Sequence, residues 1–456
     1  MRILFPIISG SEIRQIFLSG VARRLLDDEN VVYTIVKYDQ PDLIQELHSI
    51  EPRVIILPFI SHKTDGSLLS YVRTCLDFNY DQHHERWRYS PPSKMSLLKK
   101  VAIQLVSLFI EIPLLKNFLQ RFEYNLMMKF DVSGLKSLFK RNKVDKVIVN
   151  NARFLNYPEL LVACLQLKIP VAVLYHSNKE VFAQPRIGYP YNKYGVWNSD
   201  MNEKLLINNP EIKGKSAIVG NTHFAYLKDE TYVLSKEVFF DKYKIRSENS
   251  FIVLYTAAGL IIKNEFLIVK CISDILKEAG MDYKIIVRRN PMDTTNIWDE
   301  HFHDSNDVII QHPLWVMDQK LGMNYTLKKD LIDYSSLLKY MTCCINIPST
   351  VTIEAAIVHK PVINICYNFP GVTVSTNKGQ LTDFWLAPFY QTFHSYDFVK
   401  GCFSIENLIE TIMDMARNGH VYKDFERCTS EFLGFPIDEL VDKSVAFITE
   451  IKNGKL

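Results

Sequence analysis

The richest constellation in the sequence is Ile345-Asn346-Ile347-Pro348-Ser349-Thr350-Val351-Thr352-Ile353-Glu354-Ala355-Ala356. An apolar run meets a proline turn, and two hydroxyl residues then open a helical pattern. The free N–H groups and dipole of a helix start attract phosphate, and Ser349 and Thr350 add hydroxyl donors. The plainer role for either is an N-cap. A capping box would need an acid three residues further on, and those positions hold Thr352 and Ile353. Glu354 lies outside that pattern and among apolar residues. It is expected to accept hydrogen bonds from a ribose diol.

Other groups could complete such chemistry. Arg288-Arg289-Asn290-Pro291 follows the apolar run Lys284–Val287, and His312-Pro313 follows Val308–Gln311. A basic pair at a strand's carboxyl end can neutralise a departing diphosphate; the plainer alternative is a pair of solvated arginines. His176 stands just beyond Val171–Tyr175, a position suited to general-base work at neutral pH. Glu12, in Ser9-Gly10-Ser11-Glu12, is either a chemical group or a first-turn acid favoured by the helix dipole. That loop is not G-x-G-x-x-G, so a dinucleotide site is unsupported. No strict Asp-x-Asp occurs, and His83-His84-Glu85 and His301-x-His303 lack zinc-ligand spacing, so no metal is expected.

These residues need a scaffold that brings strand ends together. Strand-like apolar runs alternate with amphipathic stretches: Arg2–Ile8, Val31–Val36, Val54–Pro58, Lys146–Asn150, Val171–His176, Tyr194–Trp197 and Ser216–Val219, with helices at Ile13–Leu26, Asp42–His48, Pro158–Leu167 and Asp200–Asn208. Continuous apolar strands separated by helices imply α/β architecture with parallel sheets covered on both faces. The polar stretch Asn221–Ser250 reads as a boundary. The alternation then restarts with strands Phe251–Thr256, Lys284–Arg288, Val308–Gln311, Cys343–Ile347 and Pro361–Tyr367, and helices over Glu265–Ala279, Ser335–Met341 and Val351–Val358. Helical segments close the chain from Ile405 to Lys452. The expected organisation is two doubly wound halves facing across a cleft, residues 1–235 and 245–456, with a helical insertion near 68–143.

Two blocks carry a resemblance. Asp330-Leu331, Leu337-Leu338, Cys343-Cys344-Ile345-Asn346, Ser349-Thr350, Glu354-Ala355-Ala356 and Lys360-Pro361-Val362-Ile363-Asn364 resemble the nucleotide-binding half of GT-B glycosyltransferases. Within that fold they are most similar to the bacterial surface-polysaccharide group related to CDP-glycerol glycerophosphotransferases. Val196-Trp197-Asn198, Pro210-Glu211-Ile212 and Val219-Gly220-Asn221-Thr222-His223-Phe224 are similar to the end of that group's first domain. The resemblance implies two Rossmann-like domains. The C-terminal one holds a nucleotide sugar (UDP-, GDP- or CMP-linked) and the N-terminal one holds a glycan or lipid-linked acceptor. It implies that the Ser9–Glu12 loop faces the cleft, and it offers Asn290, where relatives carry His, and His312 as rival nucleotide contacts. The expected activity is inverting, metal-independent sugar transfer with no cofactor. Alternatives are a polyol-phosphate transferase using a CDP-alcohol, a non-hydrolysing sugar-nucleotide epimerase, and an inactive assembly scaffold.

Composition narrows the class further. The 456 residues carry 53 Lys+Arg against 51 Asp+Glu, a near balance that excludes a nucleic-acid-coating protein and an acidic disordered one. The start MRILFPIISG lacks the parts of a signal peptide, and the run Val101–Ile110 is half a membrane span. Eight cysteines without a C-x-x-C read as buried thiols of a cytoplasmic protein. Residues 94–143 hold ten Lys/Arg and three acids, a local +7. There Leu98, Val101, Ala102, Leu105, Phe109 and Ile112 share one helical face, with Lys99, Lys100, Gln104, Ser107 and Glu111 away from it. A basic amphipathic helix can lie on the inner face of an anionic membrane; the alternative is a helix packed on the first domain. The sequence does not specify oligomeric state.

Overall fold

The computed structural model describes residues 1–7, 9–36, 41–58, 68–69, 71–73, 75–76, 112–152, 158–182, 187, 189–259, 261–318, 323–374, 379–418 and 421–451. They form two compact units, Met1–His223 with Glu439–Leu456, and Phe224–Asp438. The face residues 98, 101, 102, 105 and 109 of the basic segment, with Lys99 and Lys100, lie outside the described residues. Its described part forms the helices Pro113–Met127 and Ser133–Asn142.

The first unit is built on β1 (Arg2–Ile7), β2 (Val31–Val36), β3 (Ile55–Leu57), β4 (Lys146–Val149), β5 (Val171–Leu174), β6 (Lys193–Val196) and β7 (Ser216–Ile218). Their order is β3-β2-β1-β4-β5-β6-β7, with parallel pairing throughout. Strands β4 and β5 are buried on both faces, which is why Val147–Val149 and Val171–Leu174 read as unbroken apolar runs. The expected helix Ile13–Leu26 is broken. A turn at Gly10–Glu12 leads into a π-helix, Ile13–Leu18, and Gly20, at φ +91°, resets the chain before the helix Val21–Asp27. A left-handed residue without a Cβ makes that reset inexpensive.

The helix Leu440–Glu450 also belongs to this unit, where the sequence reading kept the closing helices with the second half. Lys146 Nζ donates to the carbonyls of Ile448, Thr449 and Ile451 at 3.0, 3.1 and 2.9 Å, capping that helix's last turn. Phe447, on the same helix, packs so near β6 that a Cβ on Gly195 would meet its ring at 3.2 Å and Val219 at 2.8 Å.

The second unit carries β8 (Phe251–Thr256), β9 (Ile262–Lys263), β10 (Tyr283–Arg288), β11 (Val308–Gln311), β12 (Trp315–Asp318), β13 (Met323–Thr326), β14 (Cys343–Asn346), β15 (Val362–Ile365), β16 (Thr373–Val374) and β17 (Val399–Cys402). Its main sheet runs β11-β10-β8-β14-β15-β17, again parallel. The hairpin β12–β13 and the strand β17 were not anticipated. The helix Phe266–Glu278 turns Ile268, Val269, Ile272 and Leu276 into the core, at the i, i+1, i+4, i+8 spacing of one helical face. All eight cysteines are free thiols, and all but Cys271 are buried.

Candidate functional site

Each main sheet reverses its direction of growth once, between β1 and β4 in the first unit and between β8 and β14 in the second. Loops leaving the carboxyl ends of those strand pairs splay apart and form the usual binding crevice of a doubly wound sheet. Most of the residues singled out from the sequence lie on these loops or on those of the adjacent strands.

In the first unit the loop after β1 is held by its own acid. Glu12 Oε2 accepts from the Ser9 N–H and the Ser9 hydroxyl, both at 2.8 Å, closing a capping box. Glu12 is buried, so it shapes the loop rather than standing open to solvent. Ser11 Oγ accepts from Asn150 Nδ2 at 2.9 Å, tying this loop to the one after β4. The Asn150 carbonyl lies 3.1 Å from His176 Nδ1, at the end of β5. A carbonyl can only accept, so Nδ1 carries the proton and Nε2 keeps its lone pair. Glu180 Oε1 lies 3.5 Å from the same nitrogen. Desolvation holds the His176 pKa below the usual imidazole range, against the opposing pull of the Asn150 carbonyl.

His223 completes this group, and sequence reasoning assigned it no role. Burial, helped by the positive field of Arg14, pushes it well below the ordinary value. Two imidazoles neutral at pH 7 therefore share one strand-end environment. The π-helix sets the backdrop: its Gln15 carbonyl accepts from Ser19 Oγ at 2.6 Å and Thr222 Oγ1 at 2.7 Å, while Gln15 Nε2 donates to the Tyr175 carbonyl at 3.2 Å. Asn221 Nδ2 reaches the His176 carbonyl, and Asn221 Oδ1 accepts from the His223 N–H at 3.0 Å. The irregular helix, β5 and the loop after β7 are thus fastened together around the two histidines. The Gly220-Asn221-Thr222-His223 run was the available signal.

The second unit's crevice is built from fixed charge. Arg288 donates to Asp330 Oδ2 at 2.7 Å and to Gln311 Oε1 at 2.8 Å, and its guanidinium lies 4.3 Å from the centre of the Tyr334 ring. Asp330 also accepts from the Leu314 N–H, Trp315 Nε1 and Thr326 Oγ1. Desolvation alone would raise Asp330; the Arg288 charge and these donors outweigh it, and the carboxyl stays below its usual range. Arg289 is buried too. It donates to the carbonyls of Asp293 and Thr295, and its Nη1 lies 3.0 Å from His312 Nδ1, whose other nitrogen pairs with Asp299 at 3.0 Å. Neither arginine is the solvated strand end offered as an alternative.

Glu354 sits in the helix Val351–Ile357, largely buried, and accepts from the Tyr334 hydroxyl at 2.5 Å. Arg288, Tyr334 and Glu354 consequently form one connected row. Thr350 is exposed and makes no side-chain cap; Ser349 Oγ accepts from Asn346 Nδ2 at 3.1 Å. Asn290 caps its own turn by accepting from the Met292 N–H. Its side chain lies where a Cβ on Gly259 would fall, 2.7 Å away, and Gly259 has φ +81°. Only glycine fits that loop at that distance. Under it, Glu265 accepts from Tyr255 OH at 2.9 Å and from the Ala258 N–H at 3.0 Å, and burial pushes its pKa up to about 7. Glu265 was given no role because it opens a helical pattern that reads as ordinary, whereas Asp330 and Tyr334 precede the helix read from Ser335, and Asp330 entered only through the quoted resemblance. Among the described residues no group of three His, Cys, Asp or Glu could hold a metal ion.

No protein-family model matches this chain, and no curated relative does. Solved structures match it end to end. UDP-GlcNAc 2-epimerase from Neisseria meningitidis, solved with UDP-GlcNAc, superposes with a TM-score of 0.58 at 13% identity over 99% of this chain and 100% of the other. The Methanocaldococcus jannaschii UDP-GlcNAc 2-epimerase gives 0.57 at 13%, covering 98% and 99%. The glycosyltransferase of kitacinnamycin gives 0.51 at 9%, covering 99% of each chain. The fold is GT-B, with two Rossmann-like units.

Proposed function

We propose that this chain is an enzyme acting on a nucleotide-activated sugar, and that it epimerises a UDP-sugar instead of transferring the sugar. The observation that carries this reading is the full-length likeness to epimerases of UDP-GlcNAc, in both units at once. The site chemistry fits. Inverting C2 of a UDP-sugar can proceed by loss of its proton, the freed electron pair expelling UDP from C1, followed by return of UDP to C1 and of a proton to the opposite face of C2. His176, with an unprotonated Nε2, and His223 are the groups equipped for proton transfer. Glu12 is assigned the positioning of Ser9 rather than proton transfer. In the second unit Glu354 takes the ribose diol. Ser349, Thr350 and Asn290 supply donors to the diphosphate, His312 is held between Arg289 and Asp299 beside them, and Arg288 and Arg289 hold positive charge behind them. No cofactor is required beyond the nucleotide sugar.

A second reading, sugar transfer to a glycan or lipid-linked acceptor, is favoured by the likeness to the kitacinnamycin glycosyltransferase. The kinship with CDP-glycerol glycerophosphotransferases rests on the quoted residue blocks alone. Membrane contact in that reading would be peripheral: no helix of the described residues is long and apolar enough to cross a membrane.

Incubation with UDP-GlcNAc in heavy water, followed by proton NMR, separates these readings. An epimerase yields the C2 epimer with deuterium at that carbon and no net free UDP. A transferase leaves the donor intact until an acceptor glycan is added, and then releases UDP. Release of CMP from a CDP-alcohol would point to polyol-phosphate transfer. No turnover with any donor would overturn the enzymatic reading and leave the scaffold.

A further inference from the structure

The second unit has another pocket at the opposite end of its main sheet. It encloses about 610 Å³ and is lined by residues that precede β8, β14 and β15, among them Ser250, Thr342 and Pro361. The crevice described above lies past the carboxyl ends of those same strands, so the two sites are separated by the length of the sheet. Its wall is mixed: the rings of Phe240, Tyr340, Tyr422 and Phe425 share it with charged and polar side chains, among them Glu248 and His359.

Lysines supply the charge, and they differ in one respect. Lys236 pairs with Glu248 at 2.7 Å and Lys339 with Glu230 at 2.5 Å. Lys360 is partly buried beside them; its backbone N–H donates to the Ala355 carbonyl, but its ammonium has no carboxylate, carbonyl or hydroxyl partner among the described residues. The titratable group nearest in its field is the buried Cys343 thiol, which burial holds neutral by pushing its pKa up to about 12.

The other desolvated lysines are treated differently by the fold. Lys146 has three carbonyl acceptors, and Lys284 donates to the Asn306 carbonyl. Burying an ammonium without an acceptor is costly, and in those two places the chain supplies one. At Lys360 it supplies a cavity of mixed apolar and polar wall instead. We propose that this pocket is a second ligand site, for an organic anion with an aromatic or aliphatic body. Its carboxylate, sulfonate or phosphate head would pair with Lys360, and its body would lie on Tyr422, Phe425 and Tyr340. The proposal does not depend on what the nucleotide crevice does.

Anilinonaphthalene sulfonate is a suitable probe, because its fluorescence rises in an apolar site and its head is anionic. Titrated into the full chain at pH 7, it should bind at one site, and Lys360→Met should weaken it at least tenfold. Saturating UDP should leave its affinity unchanged. In the unaltered protein, the probe should slow acylation of Lys360 by acetic anhydride, read by mass spectrometry of the digest, at least fivefold. Equal affinity in a folded Lys360→Met protein, displacement by UDP, or acylation indifferent to the probe would each overturn the site. Should Lys360→Met fail to fold, the acylation result alone decides.

Discussion

The two units share a strand order around their switch points, yet they keep charge there in opposite ways. In the first, burial acts on imidazoles that have no carboxylate strong enough to hold a proton on them, so His176 and His223 are neutral. In the second, burial acts on Arg288 with Asp330 in contact, and both stay ionised. The same desolvation leaves neutral imidazoles in one crevice and a fixed ion pair in the other. The deciding variable is whether the fold delivers a counter-ion with its hydrogen bonds satisfied.

The comparison breaks most visibly if the histidines are not the moving parts. His176→Gln and His223→Gln should each lower turnover by about 10²–10⁴-fold while leaving UDP affinity in calorimetry within a factor of two. Their depressed pKa values also fix a sign. Both imidazoles contribute stability above pH 6.5, the ordinary imidazole value, and that contribution is lost as the pH falls below it. Denaturation of His223→Gln should accordingly show a weaker acid-side decline than the parent.

Next in size is the fixed field. Asp330→Ala strands a buried guanidinium and should cost about 3–5 kcal/mol in the second unit's unfolding. Adding Arg288→Met should recover much of that loss. Failure of the double variant to recover would mean that Asp330 matters through Leu314, Trp315 and Thr326 more than through charge.

Glu265 sharpens the contrast, because it is the second unit's one described carboxyl lifted to about 7. A raised acid contributes stability below pH 4.5, and that contribution is lost as the pH rises through about 7, a change on the order of 3 kcal/mol. Glu265→Gln should flatten the stability profile across that window in urea denaturation. An unchanged slope would show that Glu265 is ionised at neutral pH despite its burial. The smallest expected effect is on the ligand: Glu354→Ala should weaken UDP binding by about 1–3 kcal/mol in calorimetry without unfolding the chain. Unaltered affinity would remove Glu354 from the ribose.

Much of the fold was legible because parallel strands covered on both faces must be apolar throughout. Phe251–Thr256 and Val308–Gln311 emerge with the bounds read from the sequence. The helix Lys328–Tyr340 was read short, from Ser335, because its first turns face inward with Asp330 and Asp333, and buried acids disguise an apolar face. The site was legible as positions more than as roles. Glu12, His176, Arg288, Asn290, Ser349 and Glu354 do lie at or near strand ends. What periodicity could not carry was partnership across the chain. Arg288 meets Asp330 forty-two residues away, and Ser11 meets Asn150 across 139.

The Lys146 cap gives the first unit an unusual calendar. Its last helix is translated only after residues 224–438, the whole of the second unit, have been synthesised. At about 5–20 residues per second that interval is roughly 10–40 s. Throughout it Lys146 lacks its three carbonyls, and the face of β6 at Gly195 lacks Phe447. The first unit is therefore synthesised in two instalments, and the part made first lacks its closing helix until the whole of the second unit has been synthesised.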